Sequence, residues 1–205
     1  ILRVMYFVDR TKAGQKLAQE LIRRLPKFLK PPKGIILALP RGGVPVAFEI
    51  AKTLGMPLDL IVTHKLGAPG NEEFAIGAVA EDGSTFLDPF STQGISKDYL
   101  KEEIRHQLGE IKKRIQKYRG GKPLPKLSGK TVILVDDGIA TGNTMKAAIA
   151  LAKNAHAKKI IVAVPVLPKD TLAMLCKDAE VVFLDTPFPF LAIGRFYQNF
   201  SQLTD

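Results

Sequence analysis

Short apolar runs alternate along this chain with stretches in which apolar residues recur every three or four positions. The short runs predict buried strands at 34–39, 58–62, 131–135, 159–164 and 180–184. Helical spacing predicts helices at 13–25, 44–54, 143–153 and 169–177, and a longer helix capped by Ser96. Strands that alternate with helices in this way predict an α/β fold with a doubly wound, mostly parallel sheet of about five strands. In such folds the ligand lies at the carboxyl ends of the strands.

Two segments fall outside this alternation. Residues 65–73 are rich in Gly, Pro and Asn, which predicts a loop, and 74–80 and 85–87 are predicted to pair as a hairpin about Asp82-Gly83. The tail from Asp185 is dense in proline and aromatic residues. We expect a single domain over 1–205, with a core at about 34–185 and a small hood formed by 186–205 and the N-terminal segment.

The composition of the chain indicates its cellular compartment more clearly than its activity. The chain has 205 residues, a formal net charge of +10 and one cysteine, Cys176, so no disulfide forms within it. No run approaches the roughly 18 apolar residues of a membrane span, and no signal peptide is evident, which predicts a cytoplasmic protein. Cys176 lies among apolar residues of a predicted helix and is expected in the core. The positive charge is compatible with a nucleic acid, a membrane surface or an anionic small substrate.

The segment from Val132 to Thr144, VILVDDGIATGNT, carries the strongest chemical signal. Asp136 and Asp137 follow a buried strand, and a loop of small and hydroxyl residues then leads into a helix. Two carboxylates suit the paired hydroxyls of a ribose or a divalent cation, and backbone amides at a helix start suit a phosphate. An isolated Asp-Asp pair is more often a simple turn, but this loop favours a site for a phosphorylated sugar.

This segment resembles the phosphoribosyl pyrophosphate (PRPP) binding signature of the type I phosphoribosyltransferases. Its one mild departure is Gly138, which stands where the family usually has a branched apolar residue. The whole chain resembles a bacterial subgroup of that family through FVDRTKAG, here Phe7 to Gly14, and KLGAPGN, here Lys65 to Asn71. The resemblance implies the family's fold, a flexible loop and hairpin at 67–71 and beyond, and a homodimer.

The resemblance also implies a role for each site residue. Asp136 and Asp137 would hold the ribose hydroxyls, directly or through Mg²⁺. The phosphate and ribose would be bound by the rest of the signature, which comprises Gly138, Ile139, Ala140, Thr141, Gly142, Asn143 and Thr144. Arg41 with Gly42 and Gly43, together with Lys65, would bind the pyrophosphate. Arg41, Lys65 and the two aspartates are the predicted catalytic residues.

The implied reaction is transfer of the phosphoribosyl group of PRPP to a nitrogen acceptor, with Mg²⁺ as cofactor and pyrophosphate as product. Family members that act on 6-oxopurines carry an Asp where this chain has Ala140, so a nucleobase other than a 6-oxopurine is expected. Tyr197 and Phe196 of the aromatic tail could stack on that base, or simply pack in the core.

Two other hypotheses stay open. A PRPP-sensing regulator would bind nucleic acid through a basic face, for which the candidates are Lys112, Lys113, Arg114, Lys117 and Arg119. A sugar-phosphate binder that does not use PRPP would share only the phosphate loop. His64, His106 and His156 lack the spacing of zinc ligands, and Ser128 to Thr131 lacks the first glycine of a Walker A loop.

Overall fold

The computed structural model describes residues 6–25 and 34–205. Its helices are α1 Arg10–Arg24, α2 Gly43–Leu54, α3 Lys97–Arg119, α4 Asn143–Asn154 and α5 Lys169–Leu175, followed by a short 3₁₀ helix at Ile193–Phe196. Its strands are β1 Gly34–Ala38, β2 Leu58–Leu60, β3 Thr63–Ala68, β4 Asn71–Ala80, β5 Thr85–Leu87, β6 Thr131–Val135, β7 Lys159–Val166 and β8 Glu180–Asp185.

Five strands form a parallel sheet in the order β2-β1-β6-β7-β8, which confirms the predicted α/β fold. Every residue of β1 and β6 is buried, as expected of central strands with helices on both faces. Successive residues of β1 alternate between the two faces, so that Leu37 packs with α4 and Ile36 packs with α1 and α2. Because Ala38 pairs with Val135, the loops that follow β1 and β6 begin side by side.

A second sheet corrects the prediction of a loop at 65–73. Strands β3, β4 and β5 form an antiparallel sheet, and the segment predicted as a loop supplies the end of β3 and the start of β4. Only Pro69 and Gly70 turn the chain, and Gly70 has a φ of +73°. The loop prediction was wrong because pairing with β4 and complete burial of Leu66 outweigh the turn-forming composition. The predicted pairing of 74–80 with 85–87 is confirmed.

Helix α3 covers this second sheet. Its apolar residues Ile104, Leu108, Ile111 and Ile115 recur at steps of three and four and pack on Leu66, Ile76 and Val79. This contact fixes how the helix is rotated, and therefore which of its basic residues face the parallel sheet. Within the described ranges, no helix is both long and apolar enough to cross a bilayer.

The segment before α1 and the segment after β8 meet beside β7. The amide of Phe7 donates to the carbonyl of Phe196 at 2.8 Å, and the amide of Gln198 donates to the carbonyl of Phe7 at 2.8 Å. The rings of Phe7, Phe196 and Tyr197 form a small apolar cluster with Val166. The C-terminal segment therefore folds back over the amino end of α1.

Cys176 lies on the surface, contrary to the expectation of a core residue. Helix α5 ends at Leu175, which is fully buried, and Cys176 follows as its C-cap. Because consecutive helical residues point about 100° apart, the residue next to a buried leucine readily faces solvent. The predicted helix at 169–177 was two residues too long.

Candidate functional site

The loop after β1 lies directly against the acid pair that follows β6. A side chain at Gly42 would place its Cβ 2.1 Å from Oδ2 of Asp137, and one at Gly43 would lie 2.5 Å from the carbonyl oxygen of Val135. Neither distance leaves room for a Cβ, so both glycines permit the close approach of the two loops. The peptide bond between Pro40 and Arg41 is cis. Arg41 itself is exposed at the sheet edge.

The two aspartates have different partners. Oδ1 of Asp136 accepts a hydrogen bond from the amide of Asp137 at 2.8 Å. Oδ2 of Asp137 accepts one from Nε of Arg10 at 2.7 Å, and the two side chains of that pair are only 9% and 10% exposed. Asp137 is therefore a buried, charge-compensated carboxylate, whereas Asp136 is partly exposed toward the cavity described below.

Arg10 contacts the acid pair, although the sequence did not identify it as a site residue. Its Nη1 donates to the carbonyl of Ser201 at 2.9 Å, and its guanidinium lies 3.8 Å from the ring centre of Phe200. Arg10 thus links α1, the acid pair and the C-terminal segment. The signal for it in the sequence is the FVDRTKAG motif, which contains Arg10 but gives no indication of its contact with Asp137.

Burial raises the pKa of both aspartates. The pKa of Asp136 lies well above its usual range because its carboxyl is desolvated and Asp137 places a negative charge beside it. Desolvation also raises the pKa of Asp137, and the hydrogen bond from Arg10 opposes that increase. A cation bound at Asp136 would favour its ionised form, so the pair is electrostatically suited to a positively charged ligand group.

The signature loop, residues 138–144, is held in place by hydrogen bonds to the end of β7 and to α5. The amide of Ile139 donates to the carbonyl of Val166 at 3.0 Å, and Oγ1 of Thr171 donates to the carbonyl of Ala140 at 2.6 Å. Gly142 has a φ of +84° and precedes α4. Ala140 and Thr141 remain exposed to solvent although the loop is held by these hydrogen bonds. The result is a supported turn at the amino end of a 12-residue helix, an arrangement that suits an anion.

The unusual glycine of the signature has a structural explanation. A Cβ at Gly138 would lie 2.4 Å from Cγ2 of Ile193, in the 3₁₀ helix of the C-terminal segment. The space that a branched side chain would need is occupied by that isoleucine. The absence of a side chain at Gly138 is therefore matched to a residue 55 positions away in the sequence.

Among the described residues, two cavities lined by polar side chains open at the carboxyl edge of the parallel sheet, beside a more apolar one that shares Arg41 with them. The larger, about 550 Å³, brings together four predicted site residues, Arg41, Lys65, Asp136 and Thr144. It is also lined by residues that sequence reasoning did not place here, which are His64, Glu73 and Arg114. Burial, and then the charge of Arg114, lowers the pKa of His64.

The second cavity, about 410 Å³, lies next to the first and shares Arg41 and Arg114 with it. Its own lining includes Arg10, Gly42 and Asp137. The two aspartates thus face different cavities, which the sequence could not distinguish.

The aromatic residues expected to stack on a base are mostly buried. Phe196 and Tyr197 are 5% and 6% exposed, and the Tyr197 hydroxyl donates to the carbonyl of Asp137. Burial raises the pKa of Tyr197. The arrangement favours the alternative that the sequence left open, in which these rings pack in the core. The contact of Tyr197 with Asp137 is an additional finding of the structure.

The basic residues of α3 do not form one continuous surface. Lys112, Lys113 and Lys117 are exposed, but Arg114 lines both cavities and the Arg119 side chain is buried in an ion pair with Glu81. Desolvation raises the pKa of Glu81, which the Val62 amide and Arg119 oppose. Two of the five residues proposed to bind nucleic acid therefore have other roles.

A five-stranded parallel sheet, an antiparallel insertion and a signature loop at the carboxyl edge define the type I phosphoribosyltransferase fold. A sequence model described as the phosphoribosyl transferase domain matches residues 9–193. The chain belongs to this family, whose enzymes are pentosyltransferases.

Individual relatives agree with this assignment. A provisionally named phosphoribosyl transferase from Mycobacterium tuberculosis is 44% identical over 202 residues, which cover 97% of this chain and 44% of that protein. The chain thus spans less than half the length of this curated relative. The crystal structure of TT1426 from Thermus thermophilus is 41% identical with a TM-score of 0.82, over 98% of this chain and 94% of that one. A hypoxanthine phosphoribosyltransferase from Staphylococcus aureus, 11% identical with a TM-score of 0.50, shares the fold over 89% of this chain and 77% of its own.

Proposed function

We propose that this chain carries the active site of an enzyme that transfers the phosphoribosyl group of PRPP to a nitrogen acceptor and releases pyrophosphate. The observation that supports this most directly is the larger cavity. It combines Asp136 and Thr144 of the signature segment with Arg41, from the loop after β1, and Lys65, from β3. A simple sugar-phosphate binder would need the phosphate loop, but it would not need Arg41 and Lys65 in the same cavity.

Each of these side chains would interact with a different part of the substrate, according to the charge that develops there during the reaction. The acceptor nitrogen attacks C1′ of the ribose and gives up its proton to solvent, while the bond from C1′ to the diphosphate oxygen breaks and its electron pair leaves with the diphosphate. Positive charge develops on the ribose ring and negative charge on the leaving group. Arg41 and Lys65 would stabilise the leaving group, and Asp136 would orient the ribose hydroxyls.

The 5′-phosphate of PRPP would bind to the loop from Ala140 to Thr144. Exposed residues at Ala140 and Thr141, the left-handed turn at Gly142 and the amino end of α4 support this placement. The hydrogen bond from Thr171 holds the backbone of the loop without occupying its exposed side.

Mg²⁺ fits this site only together with oxygen atoms of the substrate. Among the described residues, no group of three or more His, Cys, Asp or Glu side chains could hold a metal by itself. Mg²⁺ commonly binds one or two carboxylates together with phosphate oxygens and water. Asp136 would be its main protein ligand, since Arg10 already engages one oxygen of Asp137. When bound, Mg²⁺ would supply positive charge beside the diphosphate.

We propose a nucleobase-like acceptor other than a 6-oxopurine. Ala140 is exposed at the position where enzymes for 6-oxopurines carry an aspartate, and it offers no carboxylate to a purine nitrogen. A homodimer, expected from the resemblance, and a cytoplasmic location, expected from the lone cysteine, complete the proposal.

Pyrophosphate release from PRPP and Mg²⁺ with a panel of nucleobases tests this function. The wild type should release pyrophosphate with at least one base, and the Asp136→Asn/Asp137→Asn variant should lose both turnover and PRPP binding while circular dichroism stays unchanged. Asp98→Asn, on the exposed side of α3, is the matched control and should behave like wild type. Hypoxanthine as the best substrate would contradict the proposed acceptor. Unimpaired PRPP binding by the double variant would contradict the site itself.

A further inference from the structure

Helix α3 brings one arginine to the candidate site without any acidic partner. Arg114 has no carboxylate within ion-pair distance among the residues that the structure describes. The other two arginines of the helix are paired, Arg105 with Glu102 and Arg119 with Glu81. A partly buried guanidinium without a counter-ion loses hydration and gains no compensating contact, unless a ligand provides one.

The rotation of α3 explains why Arg114 differs from its neighbours. The face that packs on the second sheet includes Ile111 and Ile115, and Arg114 follows Ile111 by three positions, so it lies at the edge of that buried face. Lys112 lies at the other edge of that face and Lys113 on the side opposite to it, and both are exposed. Among these three adjacent cations, only Arg114 is directed to the sheet edge.

Arg114 lies where the positive charge of the site is concentrated. It lines both cavities, and in both it is accompanied by Arg41; in the larger one Lys65 is also present. Neither Arg41 nor Lys65 has an ion-pair partner within the described part of the chain. His64 lines the same cavity as Arg114, and its pKa is lowered by burial and then by the charge of Arg114. The carboxylates of Glu73 and Asp136 line the same cavity, so its three cations leave a net positive charge, which favours a ligand with several negative charges.

We infer that Arg114 binds the diphosphate group, opposite Arg41, as a third protein cation for the leaving group. This inference rests on the proposed function. The 5′-phosphate is the less suitable ligand, because its proposed loop at 140–144 contributes only Thr144 to the cavity lining. A guanidinium binds two phosphate oxygens at once, and a diphosphate offers oxygens to Arg41 and Arg114 together.

Calorimetric titration with inorganic pyrophosphate and Mg²⁺, and separately with ribose 5-phosphate, tests the inference. Arg114→Gln should weaken pyrophosphate binding about tenfold or more, as expected when a charge-assisted contact is lost. Ribose 5-phosphate should bind within about twofold of wild type, because its phosphate loop is untouched. Arg114→Lys should recover part of the pyrophosphate affinity, since it keeps the charge but not the two-pronged contact.

Lys112→Gln is the matched control, because it removes the same charge from an exposed position two residues away and should leave both affinities unchanged. If Arg114→Gln binds pyrophosphate as tightly as wild type, or loses both ligands in parallel, the inference is overturned and the proposed function stands. If the wild type binds neither pyrophosphate nor PRPP, the proposed function falls and the inference falls with it.

Discussion

At the scale of single residues, the acid pair is the centre of the site because its two members are held differently. Asp137 is neutralised by Arg10 and shielded from water, whereas Asp136 faces the cavity with a raised pKa. One carboxylate thus contributes to the architecture, and its neighbour is available to a ligand. Each role leads to a distinct expectation for a substitution.

Arg10→Gln removes the cation that compensates a buried carboxylate. We expect the free energy of unfolding to fall by about 3 kcal/mol at neutral pH, since breaking one side of a buried pair leaves the other uncompensated. Urea denaturation measures the change, and Arg23→Gln, whose side chain is 68% exposed on the same helix, should change it by less than about 0.5 kcal/mol. Adding Asp137→Asn to Arg10→Gln should restore much of the loss, and no recovery would contradict the assigned pairing.

Asp136→Asn should stabilise the fold at neutral pH. Because the folded-state pKa of Asp136 is raised above the unfolded value of about 3.9, the folded protein favours the protonated form and loses stability as pH rises through the folded pKa. Asparagine resembles the protonated acid, so the gain should be present at pH 7 and vanish below about pH 4.

Unfolding curves across this pH range measure the difference between Asp136→Asn and wild type. The Asp98→Asn variant, at a side chain that is 97% exposed, should show no comparable gain. A gain that persists unchanged at low pH would show that the raised pKa of Asp136 is not its cause.

At the scale of elements, the site is assembled by contacts between segments that are distant in sequence. The C-terminal segment holds the acid pair from one side through Tyr197 and fills the space beside Gly138 with Ile193. On the other side, α3 contributes Arg114 because its apolar stripe packs on the second sheet. The 3₁₀ helix is therefore a support of the signature loop.

Gly138→Val should disrupt the contact between the signature loop and the 3₁₀ helix. Its Cβ would meet Ile193 at 2.4 Å, and overpacking of this kind costs about 1 to 3 kcal/mol. Thermal or urea unfolding measures the loss, and a second substitution, Ile193→Ala, should recover part of it by providing space. Gly109→Ala, at a position in α3 with no atom within 4 Å of the added Cβ, should instead be neutral or slightly stabilising. A tolerated valine without rearrangement would refute the proposed support.

At the scale of the whole molecule, the net charge of +10 has a partial explanation in the site. Arg10, Arg41, Lys65 and Arg114 all converge on the carboxyl edge of the parallel sheet. Of these four cations, only Arg114 also belongs to the five residues considered for a nucleic-acid-binding face. The lysines that remain on α3 form a smaller exposed group at Lys112, Lys113 and Lys117.

The regulator hypothesis predicts a different response of the intact chain. On our proposal, binding to a random DNA duplex at about 0.15 M salt is weak and PRPP does not change it. A fluorescence anisotropy titration at several salt concentrations measures this. The triple variant Lys112→Gln/Lys113→Gln/Lys117→Gln should leave pyrophosphate binding intact. Tight, steeply salt-dependent duplex binding that PRPP modulates, without pyrophosphate release, would favour the regulator.

The sequence by itself determined the parallel sheet, its flanking helices and the position of Asp136 and Asp137 at a strand end. These features depend on periodicity and on neighbours in the chain, which are local properties. Only the tertiary structure paired Arg10 with Asp137 across 127 positions, placed Arg114 in the cavities and turned the predicted loop at 65–73 into strands. Those outcomes depend on helix rotation and strand pairing between distant segments, because packing and burial outweigh local preference there.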